Sequence, residues 1–322
     1  MTEAHQLPIP PSLSLAEAIE AIRIDNLTYP REAIDVILHH RDEAIPQLIN
    51  IVEEIIKDPE AYWERHTQHN ARVHLYALEL LSKFQATEAH STIVSLVTLK
   101  HGIVDELFGR YLETLLPETL SNTAGSNFEH LKRLVTLYND MEICDSIPLA
   151  AVDALYLGVL CGEADRVEIL DHLAEILRSM DDDYRIQQDH IIGAMVGLYP
   201  EKQMDVMSEV LSRRKNYEVA KEKLNNIMKE GLEQTLESAK SHLSEHHFPE
   251  DIHERLLMKV QDDDCYDCGH DHHGHHHHDH HHHTSGSNSR PQKQALPRNQ
   301  RLKNKKKERA NQRQARKKNR KK

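Results

Sequence analysis

Between Tyr29 and Val97 the sequence lays down one apolar helical stripe twice in succession, and this repetition restricts what the chain can fold into. Ile45, Leu48, Ile49, Val52, Ile55 and Ile56 fall at offsets 0, 3, 4, 7, 10 and 11. That spacing lines one side of a helix with 3.6 residues per turn. Val73, Ala77, Leu80, Leu81 and Phe84 repeat the stripe at offsets 0, 4, 7, 8 and 11. Aligning Ala33 with Ala77 sets two helix pairs about 44 residues apart. A pair this short cannot cover its own stripe and must stack on a neighbour.

The period continues downstream. A first helix is expected around Ser14 to Ile24, capped by Ser14 or Ser12, ahead of the pair that Pro30 opens. Asp42 reads as the N-cap of the Ile45 helix, with Pro46 in its first turn, and Asp58-Pro59 as its end. Residues 60–70 read as a polar insert carrying Trp63, His66 and His69. A third unit spans about Gly102 to Tyr138, broken by a loop from Ser121 to Ser126. Pro148 opens a fourth, with Ala151, Val152, Leu155 and Leu160 facing Ile169, Leu173, Ile176 and Leu177. A fifth pairs Asp189–Leu198 with Glu201–Leu211. Helix pairs near a 40-residue period predict an all-α, HEAT-like α-solenoid of about five pairs.

Tyr217 to Leu243 reads as one longer polar helix and Ile252 to Val260 as a short last one, together a wet-faced cap on the array. The expected divisions are a lead at 1–13, the repeats at 14–213, the cap at 214–261, a Cys/His tract at 262–283 and a disordered basic tail at 284–322.

Charge separates the tail from the rest. Residues 284–322 carry 16 Lys or Arg against one acid, Glu308, a net of +15. The other 283 residues carry 24 basic and 51 acidic side chains, a net of −27. Four cysteines in a chain of this length make no disulfide framework, which fits a reducing cytoplasm. Met1 to Leu13 has no basic segment before an apolar core and does not read as a secretory leader. The longest apolar run, Leu149 to Cys161, is 13 residues long and broken by Asp153, too short to span a bilayer.

The runs YPREAIDVILHHRDEAIPQLINIVEEII, HLYALELLSKFQATEAH and LFGRYLETLL resemble a bacterial family of unknown function, DUF1186, over about residues 14–215. The resemblance implies a helical repeat fold and brings no catalytic residues. Some of its members end in a short Cys/His zinc module; here only Cys265, Cys268 and Gly269 resemble it, so no ligand set carries over.

Chemistry concentrates in the tail. Cys265 and Cys268 stand at C-x-x-C spacing, followed by His270, His272, His273, His275, His276, His277, His278, His280, His281, His282 and His283. Thiolate and imidazole suit zinc or nickel, and a C-x-x-C pair grips one ion from a single turn. Cys265, Cys268, His270 and His272 supply one tetrahedral set, and the remaining histidines weaker, exchanging sites. The bland alternative is a polar spacer with incidental metal affinity.

The basic end holds Lys305, Lys306, Lys307, Arg309, Arg313, Arg316, Lys317, Lys318, Arg320, Lys321 and Lys322 and no aromatic residue. Its contact with RNA would rest on counterion release, without base stacking. Docking on the chain's own acidic body and simple solubilisation compete with that reading. In the body, His39-His40, His66/His69/His74 and His246-His247/Glu250/His253 are local clusters best read as exposed surface histidines, and Cys144 and Cys161 as buried apolar residues. A di-iron bundle needs a second Glu-x-x-His and two more Glu, and no H-E-x-x-H, G-x-S-x-G or phosphate-binding Gly loop is present. The expected function is a non-enzymatic scaffold that holds a protein partner on its repeats, with an arm for metal and RNA or ribosomes. The alternative is a zinc or nickel store that serves a docked client.

Overall fold

The computed structural model describes residues 13–24, 29–69, 72–109, 111–214, 217–246 and 251–262. It divides into two units, Met1–Gly269 and His270–Lys322, and the described residues all belong to the first. Among them there are helices and turns and no strand.

Five helix pairs stack in order: α2 (Arg31–His39) with α3 (Arg41–Lys57), α5 (Val73–Lys83) with α6 (His90–Val97), and α9 (Leu116–Ala124) with α10 (Glu129–Val135). α11 (Ser146–Leu160) with α12 (Arg166–Ser179) and α13 (Arg185–Gly197) with α14 (Met204–Ser212) complete the series. Helices α3, α5, α9, α11 and α13 pack each on the next and form a spine. On it lie α6, against α3 and α9, α10, against α9 and α11, and α12, against α11, α13 and α14. This is the α-solenoid that the period implies. Before it, α1 (Leu15–Arg23) packs on α2, α3 and α5. Its cap is reciprocal: Ser14 Oγ accepts from the Glu17 amide and the Glu17 carboxylate accepts from the Ser14 amide.

The repeat also appears as polar stitches between neighbouring pairs. Arg41 donates to the Phe84 carbonyl at 2.7 Å, Asn122 to Ser82 Oγ at 3.1 Å, and His172 to the Lys132 carbonyl at 3.2 Å. Arg166 donates to the carbonyls of Leu198 and Tyr199. These partners lie 32 to 43 residues apart, about one period. The stitches to Phe84, Lys132, Leu198 and Tyr199 each satisfy a carbonyl at a helix end.

Several boundaries differ from expectation. Residues read as a polar insert form α4 (Pro59–His69): Asp58 Oδ1 caps it by accepting from the Ala61 amide, with Pro59 opening the helix. The Asp-Pro pair therefore starts a helix as well as ending one. α3 begins at Arg41, which puts Asp42 inside its first turn and Pro46 two residues deeper than expected. The two short helices α7 (His101–Phe108) and α8 (Tyr111–Thr114) precede α9, which runs through the expected loop to Ala124 before Gly125 turns the chain at φ +60°. The expected long polar helix is broken at Gly231 (φ +88°) into α15 (Tyr217–Glu230) and α16 (Leu232–His246).

α5 departs furthest from a half-exposed repeat helix. Every residue from Val73 to Ser82 is buried, so the helix has no wet face. The cover comes partly from residues about 170 positions later in the chain. α15 lies on α14, but α16 returns along the spine onto α11 and α13, and α17 (Ile252–Asp262) packs on α5.

Candidate functional site

The tail residues read as metal ligands, Cys265 to His283, and as RNA contacts, Lys305 to Lys322, lie outside the described residues. The structure does place the helix from which that tail departs. α17 is 11 residues long and ends at Asp262. Its Ile252, Arg255 and Leu256 stand at offsets 0, 3 and 4, hence on one face, and all three are buried. Asp251 starts the helix by accepting from the His253 amide at 2.7 Å, which lowers the affinity of its carboxyl for a proton.

Arg255 reaches between two repeat pairs. Its two terminal nitrogens donate to both oxygens of Glu118 on α9, at 2.8 and 2.7 Å, and one lies 3.0 Å from Glu79 on α5. The Arg255 and Glu118 side chains are 10% and 18% exposed and Glu79 only 1%, so this is a desolvated network. Desolvation offsets much of its Coulombic gain, but removing one partner leaves charge stranded.

A residue pair earlier, His253 ties α17 to the first repeat. Its Nε2 lies 2.9 Å from Asp35 Oδ1 and its Nδ1 2.8 Å from the Tyr29 hydroxyl. The carboxylate accepts, which assigns the proton to Nε2 and leaves Nδ1 to accept from the phenol. Burial, followed by the neighbouring Tyr76, pushes the Tyr29 phenol up from its usual range, which keeps it a donor. Hydroxyl, imidazole and carboxylate thus share the connectivity of a nucleophile, base and orienting acid. Nucleophilic use needs a hydroxyl that loses its proton readily, and burial acts here in the opposite direction. The arrangement works as a clasp.

Other buried histidines also bridge elements. His74, expected at the surface, is fully buried: Nδ1 pairs with the Tyr62 hydroxyl at 2.9 Å and Nε2 with the Leu107 carbonyl at 2.8 Å. The Tyr62 and Phe108 rings meet it edge-on. His253 likewise is buried, not exposed, whereas His39 and His40 are exposed as expected. The side chains of His66, His69, His246, His247 and Glu250 lie outside the described residues. His90 stacks on His130 and bonds Thr123 at 3.0 Å; burial, then His130, lowers it to about 4. His190 pairs with Asp153 at 2.7 Å, and that bond raises it.

Cys144 is buried, but Cys161, expected inside, is exposed beyond the end of α11. Burial raises the Cys144 thiol, the wrong direction for a metal-ready thiolate. Among the described residues no group of three or more His, Cys, Asp or Glu is placed to hold a metal ion. No described helix is long and apolar enough to cross a membrane.

Fold and clasp together define a helical-repeat protein in which the last described helix is strapped onto the spine helices α5 and α9. The chain belongs to the family described as protein of unknown function DUF1186, whose model matches residues 13–258. It is similar to an uncharacterized protein of Chlamydia muridarum (strain MoPn / Nigg), 24% identical over 212 residues that cover 62% of this chain and 78% of the relative. An uncharacterized protein of Chlamydia trachomatis serovar D is 24% identical over 213 residues, with the same coverage. No solved structure matches. The matched region includes α17 up to Met258 and stops short of the Cys/His tract.

Proposed function

We propose that this protein is a non-catalytic helical-repeat adaptor of the cytoplasm that holds a protein partner on its stacked pairs. Its C-terminal arm binds zinc or nickel through Cys265, Cys268 and the following histidines, and contacts RNA, as on ribosomes, through its basic end. The observation that carries this reading is the attachment of α17, where Arg255 is held by Glu79 and Glu118 from two different pairs. An anchored root keeps whatever the arm binds at high local concentration beside whatever the repeats bind. The charge division supports it: the net −27 outside the basic end disfavours nucleic acid on the repeats, and the +15 of the end favours it there.

Affinity capture of the intact protein, with and without nuclease and chelator, tests the proposal. RNA recovery should fall steeply between 50 and 200 mM salt, on the order of tenfold or more. It should vanish when residues 284–322 are removed. RNA capture that survives that removal overturns the RNA assignment.

The eleven histidines exceed what one tetrahedral ion needs, which favours metal storage or delivery as a second reading. Deleting residues 265–283 separates the two. Loss of metal from a captured client enzyme, with RNA recovery unchanged, favours delivery.

A further inference from the structure

We infer that the array hinges between its second and third pairs, and that α17 is the latch that holds this hinge closed.

The seam between those two pairs is unlike its neighbours. α3 and α11 bury only apolar side chains. α5 and α9, which lie between them and pack on each other, bury polar ones: Ser82 on α5, and Thr119, Ser121 and Thr123 on α9, besides Glu79 at the clasp. The buried polar side chain of α13, Gln188, serves a different place, since its amide donates to the Asp181 carbonyl in the loop before that helix.

Hydrogen bonds cross the seam. Asn122 on α9 donates to Ser82 Oγ on α5 at 3.1 Å. Thr123 Oγ1 donates to the Thr119 carbonyl at 2.7 Å, so toward His90 on α6, 3.0 Å away, it accepts from Nδ1. That places the imidazole proton on Nδ1 and leaves His90 Nε2 a bare acceptor. His90 Nε2 and Thr119 Oγ1 are both buried without a hydrogen-bond partner among the described residues. Opening such a seam exchanges its bonds for bonds to water at small net cost, and lets the two orphaned atoms pair. An apolar junction gains nothing comparable when water enters. The second and third pairs therefore part more readily than the pairs on either side of them.

α17 bridges this same seam. Arg255 bonds Glu118 on α9 and lies 3.0 Å from Glu79 on α5, and Ile252 and Leu256 on its face are buried. At 11 residues the helix has a length that is marginal in isolation, so it is helical when docked and unravels when released. Docked, it joins the two sides of the seam. Released, it leaves the seam to its own weak bonds, and the first two pairs swing as a block against the other three. A partner that contacts both blocks then meets a different surface in each state.

Thiol labelling of the full chain tests the hinge. Thr123→Cys puts a reporter in the seam, five residues after Glu118 and so about 140° around α9 from the clasp, where loss of α17 does not itself uncover it. Cys144, buried ahead of α11, is the reference in the same molecule. Iodoacetamide labelling is read peptide by peptide by mass spectrometry, so the native cysteines stay in place. The comparison adds Ile252→Asp/Leu256→Asp, which expels α17 and alters no residue of the seam. Expulsion should speed labelling at position 123 about tenfold or more and leave Cys144 unchanged. An unchanged rate at position 123 overturns the proposal. An equal rise at both positions means that α17 steadies the whole array, and overturns the hinge.

If circular dichroism shows the double variant unfolded, Leu256→Ala replaces it. A rise of about threefold or more at position 123 alone is then expected, with the same two overturning outcomes. None of these readouts involves RNA, metal or a partner, so the hinge and the adaptor reading stand or fall separately.

Discussion

At the residue scale, the solenoid depends on polar side chains placed where the pattern marks only core. His90 is held to about 4 against the usual 6.5 for histidine, chiefly by burial. Between those values the unfolded chain binds a proton at this residue and the fold does not. Stability from His90 is thus complete above about pH 6.5 and lost as pH falls toward 4. The loss amounts to about 3 kcal/mol at about 1.4 kcal/mol per unit. His90→Gln should flatten the fall of Tm between pH 7 and pH 4.5 relative to the native chain; parallel profiles would refute it. His190 acts in the opposite sense. Its raised value adds stability below the unfolded value, and that stability is lost as pH rises through the folded one. None of this was legible in the sequence. Their membership of polar local clusters places His74 and His253 at the surface, because a histidine carries no local sign of a distant partner. Tyr62 lies 12 residues from His74, but Leu107 lies 33 residues away and Tyr29 lies 224 from His253.

At the element scale, period and punctuation revealed the stacked pairs, and the errors lie where one residue serves two elements. α5 and α11 close with the same turn. In each, the first residue beyond the cap bonds back three residues and the next bonds back five: Gln85 to Ser82 and Ala86 to Leu81, Gly162 to Val159 and Glu163 to Gly158. α11 places Gly162 at the left-handed position, whereas α5 places Gln85 there at φ +50°. A side chain in that region costs about 1 kcal/mol or more, and Gln85 is exposed. Gln85→Gly should therefore raise Tm by a few degrees, which a calorimetric scan would read. Gly158 is the opposite case. A Cβ built on it would stand 2.4 Å from the Phe128 ring, so the close approach of that ring to α11 needs glycine there. Gly158→Ala should destabilise by about 1–3 kcal/mol through overpacking, against the roughly 1 kcal/mol that alanine gains in a helix. An equal or higher denaturant midpoint would contradict it. The sequence shows both glycines without saying that one ends a helix and the other admits an aromatic ring.

At the scale of the whole molecule, an array of pairs that touch only their neighbours has no reason to unfold as one body. The stitches one period apart preserve that nearest-neighbour character. The clasp does not: Arg255 and His253 contact residues 137 to 224 positions earlier. Helical periodicity carries no information over such distances, which is why the pattern makes the last helix part of a cap on the array and shows only one apolar stripe on α5. Charge composition marked the two ends as unlike without showing that the helix before the tail lies on the second and third pairs. By tying late residues to early ones, the clasp should make the array melt cooperatively. Arg255→Met removes the fork that holds both oxygens of Glu118 and reaches Glu79, a loss of about 3–5 kcal/mol for a buried pair broken from one side. The variant should unfold in two calorimetric steps where the native chain shows one, with amides of α2 and α5 losing protection in the first. A single transition, merely displaced to lower temperature, would mean that neighbour-to-neighbour stacking alone supplies the cooperativity and that the clasp holds α17 without joining the ends.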